Sequence, residues 1–246
     1  MLPLQQITEN MAFETIHLAE TDSTNRWLKE CHKGIDPIVA WAEYQTAGKG
    51  CGSNSWESER GKNLTFSMLI HPEEIPANEQ FRITEITSVA LCETLGKYLD
   101  EKVEIKWPND IYVGDKKICG MLIENQLQGS KIKSCVIGIG LNVNQQQFMS
   151  DAPNPVSIFQ LTGKETDREH LLNDFLSAFE ETYNSKTTCF TYRERLFRRG
   201  KDGLYRDKTS CFTATLSDVL PDGRLVLQDK NGQQRLYAFK EVQFII

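Results

Sequence analysis

No apolar run in these 246 residues approaches the roughly 20 that a membrane-crossing helix needs, and no secretory signal pattern opens the chain. A soluble, cytoplasmic protein with no membrane partner is the expectation. Paired cysteines are lacking as well. The seven present are an odd number without a C-x-x-C spacing, which argues against a disulfide scaffold and predicts reduced thiols. Four histidines (His17, His32, His71 and His170) stand singly, so no zinc site is expected. Positive charge is not in excess either: a formal net charge of -6 argues against a broad nucleic-acid surface. Internal repeats and low-complexity tracts are missing. What remains, 39% hydrophobic and 25% charged residues, is enough for one substantial core and a small satellite unit.

The most informative stretch is Lys106-Trp107-Pro108-Asn109-Asp110, followed by Lys117 and Gly120. Val103, Ile105 and Trp107 alternate with Lys102, Glu104 and Lys106, the pattern of a half-buried strand. Pro108 ends it, because its ring lacks an N–H and holds Trp107 extended. Ile111 to Val113, Gly114-Asp115 and Ile118 to Glu124 then read as strand, tight turn and strand. Plain alternation puts Lys117 on one face with Cys119, Met121 and Ile123. A lysine there must either snorkel outward or point at an anion in a pocket.

Two glycine-marked segments bear on that choice. After an apolar strand from Ile38 to Tyr44, glycines 48, 50 and 52 surround Lys49. Such a loop is either a mobile surface connection or a cradle whose backbone donors approach an anion closely. It is not a P-loop, since Gly50 follows Lys49, nor a dinucleotide fingerprint, since Ser55 stands where the third glycine would fall. In Val136 to Asn144, one strand face carries Ile137, Ile139, Leu141 and Val143, while the other carries Val136, Gly138, Gly140, Asn142 and Asn144. The glycine face marks close approach by a ligand or by another part of the chain, including a helix packed tightly upon it.

Further strands are expected at Phe13 to Leu18, Leu64 to Ile70 and Ser134 to Val143. Helices are expected after Ser23, over about 80–99, and over 167–183 behind a capping box from Thr166 to Glu169. The basic cluster Arg193 to Lys201 reads as a solvated helix face. Beyond Thr209, Pro221-Asp222-Gly223 and Asn231-Gly232 punctuate short alternating runs, the pattern of a small β meander that must pack on the larger part. The fold class is α+β: a mixed sheet flanked by helices, with a catalytic domain over 1–200 and a small C-terminal β unit over 201–246.

Taken in order, Ser23-Thr24-Asn25, Gln45 to Gly50 with Trp56, Lys106 to Asp110, Lys117 with Gly120, and Gly138 to Asn142 resemble the biotin protein ligases. The likeness runs from about Ile16 to the C-terminus. It implies a catalytic domain related to class II tRNA synthetases, ending in an SH3-like barrel. It also implies a reaction, in which biotin and ATP give biotinyl-5′-adenylate and a carrier-protein lysine then displaces AMP. Charge develops on oxygens between the acyl carbon and the phosphate, so fixed cations and backbone donors are the main catalytic device. Lys117 and Lys49 are the implied catalytic residues.

The resemblance further implies a biotin site formed by Ser23, Thr24, Asn25, Gln45, Gly48, Lys49, Gly50, Cys51, Lys117, Gly120, Gly138 and Leu141. It implies an ATP site formed by Trp56, Asn109, Asp110, Lys117 and Asn142. Read without it, Ser23 or Thr24 is an ordinary N-cap, Trp56 a core aromatic and Asp110 a turn residue capping its own backbone. Asp110 is the one candidate for Mg²⁺. The implied partner is the biotin carboxyl carrier domain of a carboxylase, and a homodimer is compatible with the family. Only about fifteen residues precede the first strand, so no winged helix-turn-helix and no nucleic-acid partner are expected.

One departure stands out. Many family members carry Arg immediately after the Gly-Lys-Gly unit, and here Cys51 takes that place. A thiol cannot clamp a phosphate as a guanidinium does, so either the intermediate is held less tightly or another cation, Arg60 or Lys62, substitutes. The alternatives to a biotin ligase are a lipoate or octanoate ligase of related fold, and a non-catalytic module that keeps the pocket. The former is disfavoured because its glycine loop with a following histidine is lacking.

Overall fold

The alternating strands form a sheet, and the apolar helix stripes pack against its two faces. The computed structural model describes residues 11–31, 37–52, 54–149 and 154–246, so His32 lies outside the described residues. The strands are β1 (Glu14–Leu18), β2 (Ile38–Ala42), β3 (Leu64–Ile70), β4 (Val103–Lys106), β5 (Asp110–Val113), β6 (Lys116–Gln128) and β7 (Lys131–Leu141). They form one mixed sheet in the order β1-β2-β3-β7-β6-β5-β4, in which β1 and β2 run parallel and the remaining pairs antiparallel.

Helices α2 (Phe81–Leu95) and α4 (Arg168–Asn184) cover one face of this sheet, and α1 (Thr24–Cys31) covers part of the other. On the first face Phe66 of β3 meets Phe175 of α4 edge-on, with centroids 5.3 Å apart, and Ile137, Ile139 and Leu141 of β7 join the same core. Helix α2 is buried nearly all round, as its stripe of Ile83, Ile86, Ala90, Leu91 and Leu95 requires. Its buried hydroxyls, Thr87, Ser88 and Thr94, donate to carbonyls one turn back and so carry no unmet polarity into the core.

Several expectations need correction. The helix over 80–99 stops at Leu95, where the chain turns through Gly96. The capping box is not at Thr166: Asp167 caps α4 by accepting from the N–H groups of Glu169 and His170, while Asn144 engages both backbone groups of Thr166. A capping box does form at Ser157 and Gln160, opening α3 (Ile158–Thr162). The basic cluster is not a helix face, because α5 (Thr188–Glu194) ends at Glu194. The following residues run along β4 instead, with the Ile105 N–H donating to the Arg195 carbonyl, the Phe197 N–H donating to the Ile105 carbonyl, and Leu196 and Phe197 buried.

The C-terminal part holds β8 (Asp202–Asp207), β9 (Cys211–Val219), β10 (Leu225–Gln228), β11 (Gln234–Tyr237) and β12 (Val242–Ile245). They form an antiparallel sheet in the order β11-β10-β9-β8-β12. The strand pairs leave β11 and β12 as its edges, so closure into a barrel is not seen among the described residues. Its apolar face, with Tyr205, Leu216 and Leu225, is continuous with the main core. Trp107 seals the junction by donating from Nε1 to the Gly223 carbonyl at 2.9 Å. No helix of the described residues is long and apolar enough to cross a membrane.

Candidate active site

The glycine face of β7 and the facing parts of β3 and β6 form the floor of a cavity of about 1000 Å³. Its volume suits a substantial organic ligand. One rim comes from the segments that continue β1 and β2, which stay paired beyond the strands. Thr21 and Gln45 form a parallel bridge, and Ala47 donates to the Asp22 carbonyl. This pairing sets Thr24 beside Gln45, although 21 residues separate them.

A chain of neutral polar groups crosses this end of the floor. The backbone N–H and hydroxyl of Thr24 donate to Gln45 Oε1 at 2.8 and 3.1 Å. Thr24 Oγ1 lies 2.6 Å from Ser67 Oγ, and Ser67 donates to Asn25 Oδ1 at 2.5 Å. Asn25 Nδ2 then donates to Glu124 Oε2 at 2.8 Å, and Glu124 pairs with Lys29 at 2.6 Å. Gly138 lies under Asn25 so closely that any side chain there would collide with its amide. Ser67 was not among the expected site residues. Its signal was a pair of small polar residues, Thr65 and Ser67, alternating with Leu64, Phe66 and Met68.

The opposite end is cationic. Lys117 Nζ lies 2.6 Å from Asp110 Oδ1, and Lys106 Nζ lies 4.0 Å from Asp110 Oδ2. The Lys106 ammonium also sits over the rings of Tyr112 and Phe244, at 5.1 and 5.2 Å. Burial lowers the pKa of Lys106, Asp110 raises it and Lys117 lowers it again. Two ammonium groups therefore share one carboxylate, leaving a net positive charge that an anionic ligand would complete. Lys106 lines this cavity too and was missed as a site residue, because alternation alone made it a solvated strand position.

The location of Lys117 corrects the strand reading. β5 and β6 slip register between Ile111 and Tyr112, so that Ile111 pairs with Cys119 but Tyr112 pairs with Lys117. This bulge makes Ile118 the extra residue and reverses the alternation before it. Lys117 consequently shares the cavity face with Gly120, while Cys119 and Met121 enter the core.

Trp56 lies across the glycines. A side chain on Gly140 would collide with its ring, one on Gly120 would come within 3.1 Å of it, and Lys117 Nζ stands 5.7 Å from its centroid. Trp56 Nε1 and Asn142 Oδ1 are both buried without a hydrogen-bond partner among the described residues. Native proteins seldom leave such atoms unmet, and both belong to residues lining the cavity. Asn109 is held internally, donating to the Met121 carbonyl at 2.6 Å and to Cys51 Sγ at 2.9 Å. Burial pushes the Cys51 thiol up in pKa, which keeps it neutral and a poor nucleophile.

Most of the expected site residues line this one cavity, Ser23, Lys49 and Gly50 included. Two do not. Leu141 packs into the core on the opposite face, and Gly48 sits against the backbone of Trp56, outside the cavity lining. The substitutes expected for the missing arginine are also elsewhere engaged. Arg60 pairs with Glu20 and stacks over Tyr44, and Lys62 pairs with Glu165. Nor does Asp110 fit a metal site, because Lys117 and Lys106 occupy its carboxylate and no group of three metal-type donors occurs among the described residues.

The model of the biotin/lipoate A/B protein ligase family matches residues 18–142 of the chain. The bifunctional ligase/repressor BirA of Bacillus subtilis is 29% identical over 244 residues, covering 94% of this chain and 74% of that protein. A Paracoccus denitrificans ligase, named for joining biotin to acetyl-CoA carboxylase, is 27% identical over 235 residues and covers 90% of this chain and 97% of its own length. A biotin protein ligase from Aquifex aeolicus, solved in complex with biotin and ATP, superposes with a TM-score of 0.79 at 25% identity. That match covers 94% of this chain and 98% of the other.

Proposed function

This chain belongs to the biotin/lipoate A/B protein ligase family, and from that premise we propose how its cavity joins biotin to AMP and then to a lysine. The reaction is ATP-dependent biotin–protein ligation through an acyl-adenylate, as the relatives spanning nearly the whole chain are biotin ligases. The observation that carries the assignment of roles is the two-ended character of the cavity. A neutral hydrogen-bonding network around Thr24, Ser67 and Asn25 lies at one end, and a lysine cluster around Asp110 at the other. A cyclic urea, which presents one acceptor and two donors, suits the first. A carboxylate about to meet a phosphate suits the second.

Biotin's ring system is assigned to Ser23, Thr24, Asn25 and Gln45, and its chain to the surface made by Gly120 and Gly138. Its carboxylate is assigned to Lys117. The carboxylate oxygen attacks the α-phosphorus of ATP, the bond to the β-phosphate oxygen breaks, and pyrophosphate leaves. Lys117, held by Asp110, offsets the negative charge gathering on the shared oxygens, with Lys49 and Lys106 adding to the field. The unmet Trp56 Nε1 and Asn142 Oδ1 are assigned to the nucleotide, with Asn109 holding β6 and Cys51 together beneath it. Mg²⁺ is assigned to the ATP phosphates as part of the substrate and not to a protein-built site. In the second step a neutral lysine amine attacks the acyl carbon, the bond to the AMP oxygen breaks, and the amide forms with loss of one proton.

The acceptor is assigned as the biotinyl domain of a carboxylase, and the division into 1–200 and 201–246 belongs to the same proposal. Incubation with ATP, biotin, Mg²⁺ and a purified biotinyl carrier domain should give biotinylated carrier and stoichiometric AMP. Excess lipoate should leave that labelling unchanged. Carrier labelled by lipoate in place of biotin would overturn the choice of acid, and adenylate formation without transfer to any carrier would overturn the choice of acceptor.

A further inference from the structure

The glycine loop carries a cation that does not come from the loop. Gly52 has φ +74°, and a side chain built upon it would coincide with the ammonium of Lys240. Lys240 belongs to the connection between β11 and β12, so it reaches this point from the C-terminal unit. Its own backbone is left-handed, at φ +67°, a conformation that costs a non-glycine residue free energy and that the surrounding turn imposes. The Ala238 N–H donates to Glu241 Oε2 and the Glu241 N–H to the Ala238 carbonyl, which closes that turn.

Three features distinguish Lys240 from a solvated surface lysine. It lines the same cavity as Lys117 and Asp110. It has no carboxylate partner among the described residues, whereas Lys117 and Lys106 already share Asp110. It also adjoins Cys51, whose neutral thiol donates to the Met121 carbonyl and accepts from Asn109 Nδ2 but supplies no charge. Burial raises the pKa of Glu124, and Lys29 and Asn25 lower it; Lys49, the one cation of the loop itself, also helps to lower it, so its charge is shared with the Asn25 end of the floor. The part of the loop next to the lysine cluster is therefore supplied with charge by Lys240.

We propose that Lys240, reaching from the C-terminal unit over Gly52, binds the phosphate of the acyl-adenylate. This rests on the assignment of an acyl-adenylate to the cavity. An ammonium without a carboxylate partner, at the rim of a cationic pocket, gains most when a phosphate arrives, because no existing ion pair has to be broken. The C-terminal unit then has a direct part in retaining the intermediate, although the family match ends at residue 142.

The test uses the full chain and labelled biotinyl-adenylate formed in place from biotin and labelled ATP. Failure of the wild type to form any adenylate would remove the functional assignment itself, separately from Lys240. Given formation, Lys240→Met should release the adenylate about 10- to 100-fold faster in a chase, the range expected for losing one charged hydrogen bond. Lys240→Arg should keep the wild-type rate. Cys51→Arg added to Lys240→Met should restore slow release, since it returns a cation to the same part of the loop. Biotin affinity measured by calorimetry without ATP should be equal in wild type, Lys240→Met and Lys240→Arg. A wild-type release rate in Lys240→Met would overturn the proposal. So would an equal weakening of biotin binding without ATP, which would make Lys240 a support of the loop and not a contact of the phosphate.

Discussion

Along β7, Ile137, Ile139 and Leu141 enter an apolar core, while Gly138 and Gly140, one residue out of step, present almost bare backbone to a polar cavity. The same division continues across β3, where Phe66 and Met68 pack inward and Ser67 joins the hydrogen-bond chain on the other side. One face is filled by side chains chosen for volume. The other is cleared of them, so that Asn25 and Trp56 can lie directly on the sheet. The comparison teaches that stability and chemistry are divided between two sides of the same strands, a few ångströms apart.

That division can be broken from either side. Phe175→Ala, on the helix facing Phe66, should lower unfolding stability by about 3–5 kcal/mol in urea titrations, yet leave biotin affinity of the folded protein unchanged. A matching loss of biotin affinity would show that the faces are not independent. Lys117→Ala should do the reverse, cutting adenylate formation about 100- to 1000-fold with little change in unfolding midpoint. Retention of either adenylate formation or carrier labelling at the wild-type rate would remove Lys117 from its role.

Glu85 sharpens the comparison, because it is a carboxyl on the core side, only 6% exposed. Burial pushes its pKa up to about 7, against the opposing pull of Arg193 and Arg82. A raised acid pKa means the folded chain holds the proton more tightly than the unfolded one. The associated stability is complete below the ordinary value of 4.5 and is lost as pH rises through about 7. Wild type should therefore lose roughly 2–3 kcal/mol between pH 5 and pH 8 that Glu85→Gln retains. Parallel stability profiles for the two proteins would count against a buried neutral carboxyl. The smallest effect is expected at Ser67→Ala, which takes one hydrogen bond from the Thr24–Asn25 chain. About 1 kcal/mol, or roughly a fivefold rise in biotin Kd by calorimetry, should follow. An unchanged Kd would leave Ser67 as structural only.

The strands and main helices were legible because burial imposes a period on the chain. β3 runs from Leu64 to Ile70 as its apolar run suggested, and β7 buries the face that alternation marked. Helix ends were less legible, since Asp167 and Thr166 are both competent caps and only the engagement of Thr166 by Asn144 decides between them. Among site residues, glycines and the Trp-Pro-Asn-Asp turn stood out in the sequence by type. Leu141 was misplaced because the residues on either side of it do belong to the site face, and one position along a strand reverses the side. Lys106, though part of the recognised motif, and Ser67 were not assigned to the site because nothing local separates a polar residue facing solvent from one facing a cavity.

The sequence by itself determined the α+β alternation, the glycine face of β7 and the identity of the motifs, since these depend on local sterics and on the period of apolar residues. It did not determine which side of the sheet Lys117 faces, because a single bulge at Ile118 reverses a period of two. Nor could it bring Thr24 to Gln45, or Lys240 to Gly52 across 188 positions of chain. Those meetings follow from the pairing of whole strands and the seating of the C-terminal sheet on the main core, which only the folded chain decides.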